Sequence, residues 1–168
     1  MLIVLAPILL LLLQGAFAAP TPVDNNPAAP QATVGKIRAV QSPVFHLYLQ
    51  ANSKNKTTPV LGPESSAEDF NIGTTIQSKQ TSQYLNILTA STSYKPLTFS
   101  AAGDTTAWGL EGDTIITTTG SSYGRQLNFL ACKSSDANYY DVYLQTGSDT
   151  PSGKSCSNYQ TLHLPCLC

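Results

Sequence analysis

The residues of this 168-residue chain whose types could do chemistry are few: two histidines, His46 and His163, four cysteines and a short set of carboxylates. A hydrolytic triad would need one histidine beside a Ser or Cys nucleophile and a carboxylate. His46 alternates within an apolar stretch, Val44 to Leu49, and reads as a half-buried strand histidine. His163 lies between Leu162 and Leu164 and points to the opposite face from them. Neither has a partner adjacent in sequence. Gly120-Ser-Ser-Tyr-Gly124 fits the G-x-S-x-G spacing of a nucleophile elbow, with Ser122 at its centre. That elbow needs a strand before it and a helix after it. The residues that follow, Arg125 to Phe129, read as another strand, so the segment is a glycine-bounded hairpin turn.

Glycoside hydrolysis needs two carboxylates about 5–9.5 Å apart across a cleft. Glu64, Glu68, Asp69, Asp104, Glu111 and Asp113 are available, but Asp104 and Asp113 sit in glycine-containing turns (AAGDT, EGDT). Asp in such turns caps backbone N–H groups. Copper-dependent oxidation of polysaccharides would need a histidine at the start of the exported chain, where Ala19 or Pro20 stands. Trp108 and the turn-proximal Tyr94, Tyr123, Tyr139, Tyr140 and Tyr159 could stack on sugar rings, although Trp108 is claimed for the core by the repeat described below. No convergent catalytic set emerges. The expectation is a non-enzyme with no cofactor and no resident metal.

Composition sets the compartment. Nine Lys+Arg oppose ten Asp+Glu for a net charge of -1, so no field exists to attract nucleic acid. Seventeen Ser and nineteen Thr give a hydroxyl-rich, weakly charged chain of the kind common among exported β-proteins. Leu2 to Leu13 is an apolar run broken only by Pro7, followed by Ala16-Phe-Ala18, the h-region and cleavage site of a secretory signal peptide over residues 1–18. Twelve helical residues reach about 18 Å, short of the ~30 Å hydrocarbon core, so the mature chain is expected to lack a membrane span.

Export explains the cysteines. Cys132, Cys156, Cys166 and Cys168 all lie near the C-terminus, and an even count in an oxidising compartment reads as two disulfides with three connectivities. Cys132–Cys156 is the favoured pair, closing a loop worth roughly 3 kcal/mol. Cys166 and Cys168 would then pair with each other or with another molecule. A metal site from His163, Cys166 and Cys168 has suggestive spacing, but exported thiols are more often oxidised than metallated. Asn55-Lys-Thr57 is the one N-glycosylation sequon and sits in a polar stretch of turn composition.

Residues 19–32 form a proline-rich leader, and 33–168 read as a single all-β domain. Short runs rich in β-branched and aromatic residues recur, bounded by Gly, Pro, Asn, Asp and Ser. They predict an antiparallel barrel or sandwich of about 10–12 short strands. Tyr84-Leu-Asn-Ile-Leu88 lines up with Gln126-Leu-Asn-Phe-Leu130, and with His46-Leu-Tyr-Leu-Gln50 before it. Phe70 to Ile76 lines up with Trp108 to Ile115 at an offset of 38 that slips to 39. A period near 40 predicts a three-fold, β-trefoil-like barrel, held beside a plain antiparallel sandwich. The strand Thr33–Val40 would close the barrel from the N-terminal side. The expected core is Leu47, Leu49, Phe70, Ile72, Leu85, Ile87, Phe99, Trp108, Leu110, Ile115, Leu127, Phe129, Val142, Leu144 and Leu162.

The C-terminal half carries an ordered set of short motifs: Leu97-Thr-Phe99, Ala107-Trp-Gly-Leu110, Leu127-Asn-Phe-Leu-Ala-Cys132, Asp141-Val-Tyr-Leu144, Thr150-Pro-Ser-Gly153 and Cys156. Over roughly residues 96–165 this resembles the PhiA family of fungal exported cell-wall proteins, linked with phialide development and IgE binding. The Cys166-Leu-Cys168 tail departs from that pattern. The resemblance implies a cell-wall or extracellular location and a non-enzymatic role, with no catalytic residues to carry over. The leading expectation is therefore a secreted, disulfide-bonded, monomeric protein acting structurally or by surface interaction. Its partners would be cell-wall polysaccharide or extracellular protein. A secreted lectin or protease inhibitor using loops 52–58, 91–95 or 133–139 is the alternative, followed by a host-directed effector.

Overall fold

Alternation at period two puts every second side chain of a strand on one face, and the longest strand shows it directly. In the computed structural model, which describes residues 32–165, Lys95, Leu97 and Phe99 are buried along Tyr94–Ser100, while Tyr94, Pro96, Thr98 and Ser100 between them are only half-buried. The strands are β1 (Thr33–Gly35), β2 (Arg38–Ala39), β3 (Tyr48–Ala51), β4 (Pro59–Gly62), β5 (Phe70–Ile72), β6 (Ile76–Ser78) and β7 (Tyr84–Ile87). They continue as β8 (Tyr94–Ser100), β9 (Trp108–Glu111), β10 (Thr114–Thr117), β11 (Phe129–Lys133), β12 (Tyr140–Gln145), β13 (Cys156–Gln160) and β14 (Leu162–His163). A short 3-10 turn at Glu64–Ser66 is the helical element among the described residues. The fold is all-β, an antiparallel sheet curled into a half-barrel. Fourteen strands exceed the expected ten to twelve, in part because the expected strand Thr33–Val40 is divided into β1 and β2.

Strand pairing recurs along the chain. The hairpins β3–β4, β7–β8 and β11–β12 follow one another, each preceded by a strand that pairs with its first arm or by an isolated bridge: Arg38 with Tyr48, Gln77 with Tyr84, Thr117 with Gln126. Between them lie the hairpins β5–β6 and β9–β10, and in the third position β14 pairs with β2, joining the end of the domain to its start. Phe70 pairs with Ser78 and Trp108 with Thr117, which reproduces the offsets of 38 and 39 read from the sequence. The first offset differs: Tyr48 and not His46 stands opposite the preceding strand as Tyr84 does. Strand β12 is the hub. Its first residues pair with β4 and its last with β8 along one edge, while β11 runs along the other. Strand β8 also reaches the start of β4, the Phe99 N–H donating to the Thr57 carbonyl at 2.8 Å.

The core fills the inside of this curl. Phe70 and Phe99 stack with centroids 6.1 Å apart, and Trp108, 1% exposed, donates its indole N–H to the Leu85 carbonyl at 3.0 Å. Each large apolar side chain so buried contributes about 1.5–3 kcal/mol. Leu49, Ile72, Leu85, Ile115, Phe129, Val142, Leu144 and Leu162 are buried as expected, whereas Leu47, Ile87, Leu110 and Leu127 are half-buried. Ile37, Val60, Leu61 and Leu130 join the core in addition. The β9–β10 turn needs its glycine: Gly112 adopts φ +60°, and a glycine leading a two-residue hairpin turn matches the right-handed twist of the flanking strands.

Candidate functional site

The densest gathering of the sequence's candidate residues is a cleft of about 220 Å³ between two loops, residues 104–107 and 118–125. The first loop crosses from β8 to β9 and is tied down by a buried amide. Asn86 Nδ2 donates to Ser100 Oγ (2.8 Å) and to the Ala102 carbonyl (2.7 Å), and Asn86 Oδ1 accepts from the Thr105 N–H at 2.8 Å. Thr105 in turn accepts the Ile87 N–H on its hydroxyl at 2.9 Å. The second loop is the glycine-bounded turn. Thr117 Oγ1 donates to the Gly124 carbonyl (2.7 Å) and accepts from the Gln126 N–H (2.9 Å), while Gln126 Nε2 holds the Tyr123 carbonyl at 2.9 Å. The Thr118 N–H donates to the Ala107 carbonyl at 2.8 Å and binds the two walls together.

Asp104, Ser122 and Tyr123, each singled out in sequence for a different chemistry, thus line one cavity with Thr89, Thr105 and Thr106. The Tyr123 ring is steadied by Lys95, whose Nζ lies 5.2 Å from its centroid and donates to the carbonyls of Ala90 and Thr92. Ser122 follows a strand and precedes Gln126, whose bridge to Thr117 continues the sheet, so the elbow geometry is absent and the turn reading holds. Asp104 departs from expectation. Its carboxylate makes no hydrogen bond among the described residues, and the residue borders the cleft. The lining holds hydroxyls, one carboxylate and one phenol, and neither imidazole nor thiol.

The histidines go elsewhere. Residues 41–46 form two successive turns, with Val44 N–H bonding the Gln41 carbonyl and Leu47 N–H the Val44 carbonyl. His46 is therefore exposed, at φ +60°, and stacked on Phe45 at 3.9 Å, where a half-buried strand histidine was expected. His163 on β14 donates from Nδ1 to Asp113 Oδ1 at 3.1 Å, and its Nε2 lies 2.9 Å from Thr161 Oγ1. This bond, more than the backbone hydrogen bond Asp113 also accepts in its turn, holds the Asp113 carboxyl below the usual value. The hydroxyl, imidazole and carboxylate have triad-like spacing, but none of the three residues lines the cleft at Asp104 and Tyr123.

The remaining carboxylates are spoken for or apart. Glu68 is buried, accepting the Ala51 N–H and the Ser78 hydroxyl. Glu111 pairs with Arg125 at the surface, which lowers its carboxyl pKa. Glu64 and Asp69 border a cavity of about 400 Å³ with Val34, Tyr48 and Leu164, where Glu64 faces Lys36 at 3.7 Å. Among the tyrosines, Tyr94 packs edge-on to Tyr143 at 5.4 Å, Tyr139 and Tyr140 flank a third cavity in loop 133–139, and Tyr159 is 60% exposed. Trp108 is wholly a core residue.

Cys132 and Cys156 are bridged, as expected, across directly paired positions of β11 and β13. Cys166, Cys168, the signal peptide and the leader as far as residue 31 lie outside the described residues. Asn55 is exposed in loop 52–58, and its Oδ1 accepts the Thr57 hydroxyl at 2.8 Å, so the sequon is accessible. No group of three potential metal ligands clusters among the described residues, and no helix there is long and apolar enough to cross a membrane. No protein-family model, no curated protein and no solved structure matches the chain.

Sequence reasoning missed the convergence and not the residues. Asp104 and Tyr123 are brought together by strand pairings that no local pattern announces. One signal existed in the repeat. The buried Glu68 stands two positions before Phe70, while the place two before Trp108 is held by the shorter Thr106, with Thr105 beside it.

Proposed function

We propose that this chain is an exported, non-catalytic protein of the fungal cell wall or its surroundings, acting by surface interaction. The observation that carries this reading is the lining of the cleft at Asp104, Ser122 and Tyr123: hydroxyls and a single carboxylate are equipment for holding a ligand. Turnover by acid–base or nucleophilic chemistry needs a base and an orienting group converging on a nucleophile. Supporting it are the signal-peptide pattern, the hydroxyl-rich composition and the Cys132–Cys156 bridge, which persists in oxidising compartments. The resemblance to PhiA proteins over residues 96–165 supplies the wall and the fungal source. Asn55 carries an N-linked glycan in this reading, and the mature protein is a monomer whose partners are wall polysaccharide or extracellular protein.

Fractionating native culture into cells, medium, detergent-extractable wall and residual wall tests it. The protein is expected in the wall fractions or the medium, with a mobility shift on endoglycosidase treatment that Asn55→Gln removes. Recovery only inside cells, or turnover of a substrate by the purified protein, contradicts it.

A further inference from the structure

We propose that the cleft between residues 104–107 and 118–125 is a binding site for a single neutral pyranose ring, with Asp104 accepting hydrogen bonds from sugar hydroxyls and Tyr123 serving as the ring platform. This rests on the reading of the chain as a binder.

Size comes first. At about 220 Å³ the cleft falls below the roughly 300–1,000 Å³ of sites that enclose drug-sized ligands, which suits one ring or the end of a chain. Charge comes next. The lining holds a carboxylate and no Lys, Arg or His, and the neighbouring Lys95 is already engaged by the Ala90 and Thr92 carbonyls and the Tyr123 ring, so the lining suits a neutral ligand that donates hydrogen bonds. An ionised carboxylate is an acceptor with two oxygens, and its hydrogen bonds are stronger than neutral ones. Vicinal sugar hydroxyls are the neutral donors that match it. Asp104 makes no hydrogen bond among the described residues, so it need not break one there to take a ligand. The hydroxyls of Thr89, Thr106 and Ser122 can donate or accept, as the alcohols of a pyranose require.

The platform is fixed before any ligand arrives. Lys95 lies over one face of the Tyr123 ring, 5.2 Å from its centroid, so the sugar would stack on the opposite face; the Tyr123 N–H bonds Ser121 Oγ at 3.2 Å, and its carbonyl is held by Gln126. A pre-ordered aromatic ring lowers the entropy cost of binding.

Comparison between the units shows why the space exists here. The N–H at the end of the first hairpin arm is satisfied in all three. In the first unit the Ala51 N–H bonds the long carboxylate of Glu68, in the second the Ile87 N–H bonds the short hydroxyl of Thr105, and in the third the Lys133 N–H bonds the Ser155 carbonyl. Glu68 is consumed as a buried structural group. The second unit does the same bonding with a threonine and leaves its carboxylate, Asp104, at the cleft.

The test is titration of the mature protein with neutral mono- and oligosaccharides (glucose, mannose, galactose, N-acetylglucosamine and their β-linked oligomers), read by saturation-transfer NMR and calorimetry. Saturable binding of at least one sugar is expected, unchanged by a metal chelator. Asp104→Asn and Tyr123→Ala weaken it by about tenfold or more, and Tyr123→Phe retains it. The single Trp108 reports folding of each variant through its emission. No saturable sugar binding by the folded protein overturns the proposal. So does folded Asp104→Asn that binds as the parent does, or binding that a chelator abolishes. A negative sugar panel with the protein still in the wall fractions removes this site alone, whereas a sugar-binding protein found only inside cells removes the location and keeps the site.

Discussion

The Asp113 carboxylate lies 3.1 Å from Nδ1 of His163, so the tip of the β9–β10 hairpin grips the strand that joins β10 to β2. A carboxylate whose pKa falls on folding binds its proton less tightly in the native state than in the unfolded chain. Its contribution is complete above the unfolded pKa and disappears as pH falls through the folded one. For Asp113 that loss sets in below the ordinary value of 3.8, because the hydrogen bond with His163 lowers the folded value. Asp113 is half-exposed, which limits the pair to about 1 kcal/mol or less. Urea titrations are expected to show Asp113→Asn less stable than the parent at pH 7, with the gap closing by about pH 2.

Trp108 ties two units together through a wholly buried indole whose N–H has a single partner, the Leu85 carbonyl. Trp108→Phe keeps most of the volume but leaves that carbonyl short of a donor, a loss of about 1–3 kcal/mol. Trp108→Ala opens a cavity and costs about 3–5 kcal/mol. Thermal unfolding followed by circular dichroism measures both, and a smaller loss for Ala than for Phe would contradict the packing.

The Cys132–Cys156 bridge fastens β13 to β11 and closes a loop of 24 residues in separation. Such a loop is worth about 3 kcal/mol in the unfolded-chain account. Reduction, or Cys132→Ala with Cys156→Ala, is expected to lower the urea midpoint correspondingly without abolishing far-ultraviolet β signal.

Glu68 differs from the surface acids because two buried donors depend on it. Glu68→Ala orphans the Ala51 N–H and the Ser78 hydroxyl, at about 2–4 kcal/mol. Glu68→Gln can still accept from Ala51 and donate to Ser78, so its cost stays under about 1.5 kcal/mol. Equal losses in the two variants would point to charge and not hydrogen bonding as what Glu68 supplies.

Much of the fold was legible where side chains repeat at period two against a buried face. Phe70 and Trp108 were matched from sequence, and the ladder registers place them in the same position of two hairpins. The disulfide was legible because compartment and spacing left one favoured pair. His46 was misread for a physical reason: the apolar alternation of Val44 to Leu49 runs on through a pair of turns, and only the Val44 and Leu47 backbone bonds distinguish turn from strand. Strand β2 lies within the expected strand Thr33–Val40, but its pairing with β14, Leu162 with Ala39, is long-range and no local pattern announces it. The cleft was hidden for the same cause. Asp104, Ser122 and Tyr123 carry distinct sequence signals, and their meeting depends on Asn86 pinning the crossing loop.

Because β14 lies against β2, residues 33–35 and 164–165 border the same cavity, and Leu164 packs where a side chain on Gly35 would go. The order of the three units along the polypeptide is therefore a matter of where the chain is cut, not of how it pairs. A circular permutant that links these neighbouring points with a short spacer and opens loop 52–58 would keep every ladder.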